Sequence, residues 1–139
     1  MDAYEIVVGV DGSAGSRRGL EWAVLEAATR GGVVKAITAW HPVENGVSTP
    51  AELQRNAQEL VEAEAAAHAR EGVTITAEAV EGRPAQVLAK AACDANLLVI
   101  GSHGASRAWH QLVGSTAEEI IRLAQCPVVV VPVPHDQRT

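Results

Sequence analysis

The chain has 139 residues, 47% of them hydrophobic and 20% charged, and its 17 Asp and Glu against 11 Lys and Arg give a formal net charge of -6. That length and balance suit one globular domain over residues 1–139 with a substantial core. The acidic surplus repels a phosphate polyanion at long range and excludes nucleic acid as the expected partner, and no stretch reaches the ~18 apolar residues that a membrane span needs.

The opening MDAYEIVVGV carries no basic segment followed by a long apolar run and a cleavage site, so the expected compartment is the cytoplasm. EIVVGV, residues 5–10, reads as the first strand, and DGSAGS follows as a loop. Ser16 is a candidate cap for a helix whose Leu20, Ala23, Val24, Ala27 and Ala28 form an apolar stripe, with Gly31 and Gly32 as the stop. VVKAITAW, residues 33–40, is the second strand. After a loop over residues 41–48, TPAE predicts a helix start: Thr49 as N-cap, Pro50 in the first helical position and Glu52 closing a capping box. Leu53, Ala57, Leu60, Val61 and Ala65 form the buried side of that helix, and Gly72 is the expected stop.

VTITAEAV, residues 73–80, alternates in its first half, as a strand with one wetter face does at a sheet edge. A third helix is predicted from Pro84, with Val87, Leu88, Ala91 and Ala92 as its stripe. LLVIG, from Leu97, has the short continuous apolar run of a central parallel strand. STAE, residues 115–118, repeats the capping-box pattern on Ser115 and Glu118, ahead of a helix with Ala117, Ile120, Ile121 and Ala124 inward. Pro127 ends it, and VVVV is the last strand. Cys93 and Cys126 form neither a CxxC pair nor a zinc spacing, and they read as small buried hydrophobes.

Alternating strands and helices predict an α/β fold: an open parallel sheet with helices on both faces, Rossmann-like. Ligands in such sheets bind beyond the carboxyl ends of strands where the strand order reverses. The two loops to inspect are DGSAGS and GSHGASRAWHQLVGST. In the second, Gly101, Gly104 and Gly114 bare the backbone, and Ser115 and Thr116 open a helix whose first amides favour an anion. His103, Arg107 and His110 add nearby donors or positive charge. The same glycines also suit plain turns, and Ser115 also suits a plain cap. Asp11 before Gly12 reads equally as a turn residue or a ligand-facing carboxylate.

The spacing Gly101-x2-Gly104-x9-Gly114-Ser115 resembles the nucleotide-binding signature of the universal stress protein family. IVVGVDGS, EGRPAQVLAKAACDANLLVIGSHG and GSTAEEIIRLAQCPVVVVP resemble its first strand, its third helix with the fourth strand, and its closing segment. The resemblance implies a five-stranded sheet of order 3-2-1-4-5 with four helices. It also implies a cytosolic, nucleotide-dependent regulator of stress response that binds ATP, with or without magnesium, and forms a homodimer. Asp11, with Gly9 and Val10 before it, matches the position that holds the adenine side of the nucleotide, and Ala39 matches the residue lining the adenine pocket. Ile100, Gly101, His103, Gly104, Gly114, Ser115 and Thr116 match the ribose and phosphate loop. Thr116 stands where an aliphatic residue is common, Ala39 replaces a larger valine, and Trp109 adds a ring to the loop. No catalytic residue is assigned, and at most weak ATP hydrolysis is expected. The alternatives are a slow ATPase and a homodimeric module without nucleotide. In either dimeric reading the contact is the last strand, residues 127–133, an apolar sheet edge.

Overall fold

The computed structural model describes residues 3–103 and 113–134. The elements run β1 (Glu5–Gly9), α1 (Ala14–Arg30), β2 (Val33–Trp40), α2 (Pro50–Ala67), β3 (Thr74–Glu81), α3 (Pro84–Ala91), β4 (Leu97–Gly101), α4 (Ser115–Leu123) and β5 (Val128–Val131). They form one parallel five-stranded sheet of order β3-β2-β1-β4-β5. That is the expected order, and β3 and β5 are the edges.

The period-2 geometry of a strand divides the core between the two faces. Ile6 and Val8 of β1 and Val99 of β4 point to the face covered by α1 and α2, where they pack with Leu20, Val24 and Val61. Val7, Leu98 and Ile100 point to the opposite face and pack with Leu88 of α3 and Ile120 of α4. Each fully buried Val, Leu or Ile contributes roughly 1.5–3 kcal/mol through lost contact with water. No helix among the described residues is long and apolar enough to cross a membrane.

Helix α2 starts as the sequence predicts. The Glu52 amide donates to Thr49 Oγ1 at 3.1 Å, and the Thr49 amide donates to Glu52 Oε1 at 3.0 Å. Thr49→Ala is expected to cost about 1 kcal/mol, read as a lower urea midpoint with an unchanged slope. The Thr49 backbone bond is also the first cause holding the Glu52 carboxyl below its ordinary value. This contribution is therefore complete at neutral pH and fades as pH falls through the folded-state value.

Several expectations are corrected. Helix α1 is capped by Ser13, not Ser16: Ser13 has extended backbone, and its Oγ accepts from the Ser16 amide at 3.2 Å. Helix α4 is capped by Gly114, so Ser115 is its first helical residue and does not cap with Glu118. Helix α2 ends at Ala67, where His68 Nδ1 donates to the Glu64 carbonyl, and Gly72 lies beyond it with a φ of 86° in the turn into β3. Ile121 is exposed, because the apolar stripe of α4 runs through Ala117 and Ile120. Cys93 is exposed and Cys126 half-buried, since both sit in turns at the end of the sheet and not in the core. Within the segment proposed for pairing, Val133 is only 1% exposed, and the Pro132 carbonyl accepts from Arg18 Nε. That end of the segment is tied to its own α1.

Candidate functional site

The carboxyl ends of β1 and β4 lie side by side at the centre of the sheet, and each is extended by one further strand-like bond. The Val10 amide donates to the Ile37 carbonyl at 2.8 Å, and the Val10 carbonyl accepts from Thr38 Oγ1 at 2.7 Å. On the other side the Ser102 amide donates to the Val131 carbonyl at 2.9 Å. These bonds fix where the two loops leave the sheet.

The first loop closes on itself. Asp11 Oδ1 accepts from the Ser13 amide at 2.9 Å and from Ser13 Oγ at 2.5 Å. The Asp11 amide donates to Ser16 Oγ at 3.2 Å. Gly12 supplies the left-handed turn, with a φ of 81°. The Asp11 carboxylate is thus an Asx-turn acceptor on an exposed residue.

The second loop leaves β4 at Gly101, and here the structure explains a glycine differently from the sequence. A Cβ on Gly101 would lie 2.5–2.8 Å from the backbone of Gly15, and a Cβ on Gly15 would collide with the His103 carbonyl. The pair lets the start of α1 sit directly on the end of β4. Close packing accounts for both glycines whether or not a ligand is present.

Beyond Gly101 the backbone is pinned to α4. The Gly114 amide donates to the Ser102 carbonyl at 2.7 Å, and the Gly114 carbonyl accepts the first helical bond, from Glu118, at 2.9 Å. His103 is buried, 2% exposed, with Nδ1 3.2 Å from Ser102 Oγ, a contact that orients the imidazole. Ser115 and Thr116 are exposed in the first turn of α4. Their amides, with that of Ala117, are among those a helix leaves without intrahelical partners, at its positive end.

These parts surround a cavity of about 310 Å³. Gly9, Val10, Asp11, Ala39, Ile100, Gly101, His103, Gly114, Ser115 and Thr116 all line it, so two loops 90 residues apart in sequence meet there. Gly104, Arg107, Trp109 and His110 lie outside the described residues. No lysine or arginine lines the cavity among the described residues, so its attraction for an anion would come from amides, hydroxyls and the imidazole.

Six lining residues escape a motif reading: Ser16, Ile37, Pro84, Leu88, Ala117 and Ile120. Apart from Ser16 they make an apolar wall drawn from β2, α3 and α4. The signal for them was weak, since Leu88 and Ile120 have the spacing of ordinary core positions. The available signal was topological: α3 begins at the same end of the sheet. Apolar side chains and free helix amides lining one cavity are the chemistry of a pocket for a flat ring carrying an anionic tail. Among the described residues no group of three His, Cys, Asp or Glu side chains is placed to hold a metal ion.

Comparison with known proteins matches residues 4–132 to the model of the universal stress protein family. A universal stress protein of Mycobacterium tuberculosis strain ATCC 25618 / H37Rv is 35% identical over 130 residues, 90% of this chain and 44% of the relative. The chain spans about half the length of the curated relatives it matches. The universal stress protein from Archaeoglobus fulgidus in complex with dAMP is 27% identical with a TM-score of 0.74, over 94% of this chain and 99% of that one. A universal stress protein crystallised with cAMP is 25% identical with a TM-score of 0.70, over 94% of this chain and 98% of that one.

Proposed function

The chain belongs to the universal stress protein family, and from that premise we propose that it is a cytosolic adenine-nucleotide-binding regulator with ATP as its ligand. One observation carries the reading: the loops after β1 and β4 converge on a single cavity lined both by apolar side chains of β2, α3 and α4 and by the first turn of α4. The structural relatives in complex with dAMP and cAMP support an adenine nucleotide as the class of ligand.

The base lies against Ile37, Ala39 and Leu88, and the phosphates meet the amides and hydroxyls of Ser115 and Thr116. Apolar surface recognises the ring, and the helix terminus recognises the charge. Magnesium, where it takes part, arrives with the phosphates. Occupancy acts by unequal affinity for two states of a surface or a dimer. The dimer forms through the β5 edge, whose Val128, Val129 and Val130 are half-buried at the rim of the sheet.

The test is retention. Protein stripped of nucleotide under denaturing conditions, refolded and dialysed against ATP is expected to hold about one adenine nucleotide per chain. Well-folded protein that retains none at millimolar ATP overturns the reading.

A further inference from the structure

The end of the sheet away from the cavity carries the chain's two cysteines on neighbouring turns. Cys93 lies just beyond α3, in a turn closed by the bonds Cys93 N to Lys90 O and Ala95 N to Ala92 O. Cys126 lies between α4 and β5, beside Pro127, whose carbonyl accepts from the Leu98 amide at 3.0 Å. Strands β4 and β5 pair from Leu98 and Val128 onward, and α3 packs against α4. The two turns are therefore adjacent at the bottom of one helix–strand layer. The thiols differ in setting: Cys93 is exposed, while Cys126 is half-buried against the α3–α4 core.

We infer that Cys93 and Cys126 are a reversible dithiol–disulfide pair, oxidised by a hydroperoxide, that staples the α3–β4 turn to the α4–β5 turn. The exposed Cys93 is the attacking sulfur and the sheltered Cys126 resolves. Exposure sets the order, since peroxide reaches Cys93 from solvent while Cys126 is partly covered; burial, and after it the charge of nearby Cys93, also push the Cys126 thiol up from its ordinary value. In the first step the Cys93 thiolate attacks one peroxide oxygen. An S–O bond forms, the O–O bond breaks, and hydroxide or alkoxide leaves, giving a sulfenic acid. In the second step the Cys126 sulfur attacks that sulfur. An S–S bond forms, the S–O bond breaks, and water leaves with the Cys126 proton. The two thiols lose two electrons and the peroxide gains them. A thiol reductant reverses the sequence by exchange. The staple joins the two helices that supply Leu88 and Ile120 to the cavity wall, but its chemistry is independent of nucleotide.

The test uses the reduced full chain and hydrogen peroxide. The expected result is loss of both free thiols and of two hydrogens in mass, with the protein still a single chain, and full recovery on adding dithiothreitol. In Cys126→Ser, dimedone is expected to trap a sulfenic acid at Cys93. In Cys93→Ser, Cys126 is expected to remain unlabelled under the same exposure. Survival of both thiols, a disulfide only between two chains, or labelling confined to Cys126 overturns the inference.

Discussion

Gly101→Ala is expected to destabilise the fold by about 1–3 kcal/mol, the usual cost of forcing volume into a packed interior. The added methyl would lie 2.5–2.8 Å from the Gly15 backbone, and backbone cannot turn aside as the tip of a flexible side chain can. Gly15→Ala is expected to cost a similar amount, through the His103 carbonyl. The two changes attack one close approach, so the double variant should cost less than the sum: once α1 has been pushed off β4, the second methyl finds room. Urea midpoints of the three variants measure this. A Gly101→Ala protein with wild-type stability and lost nucleotide binding would mean that this glycine serves the ligand and not the packing of α1.

Thr116→Asp is expected to do the opposite, raising stability while removing ligand. Thr116 is exposed in the first turn of α4, where a carboxylate complements the helix dipole by about 0.3–1 kcal/mol. The same charge would stand beside the phosphates of a nucleotide bound at the first turn of α4. Repulsion at about 4 Å ranges from roughly 1 to 4 kcal/mol between bulk water and the dielectric of a protein surface. Nucleotide affinity should therefore fall roughly tenfold or more, and added salt should restore part of it. Thr116→Val removes the hydroxyl donor but adds no charge and keeps the backbone amide, so its loss of affinity is expected to be smaller than that of Thr116→Asp and insensitive to added salt. A higher thermal midpoint with unchanged ATP affinity would move the phosphates away from α4.

The sequence was most legible where local chemistry decides. Residues 33–40 formed the predicted strand, and Thr49, Pro50 and Glu52 formed the predicted helix start, because each feature needs only neighbours along the chain. It was least legible where a distant partner decides. Gly114 rather than Ser115 caps α4 because its amide is held by the Ser102 carbonyl across the loop. Ser13 rather than Ser16 caps α1 because the Asp11 turn draws Ser13 into place. Glu64 lies on the inward side of α2, 7% exposed, because Arg17 of α1 meets it at 2.9 Å. The polar half of the candidate site was visible as glycines and hydroxyls at strand ends. The apolar half was not, since a valine or leucine that lines a pocket has the same pattern as one that fills a core.

Whether the first turn of α4 holds the phosphates is read from the response of individual backbone amides to ATP, followed by nuclear magnetic resonance on the labelled chain. Saturable shifts are expected at Ser115, Thr116 and Ala117 together with Val10 and Asp11, all with one dissociation constant, while β3 and the Cys93 turn stay still. Saturation of the protein with ATP while the first-turn amides of α4 do not move would contradict that expectation.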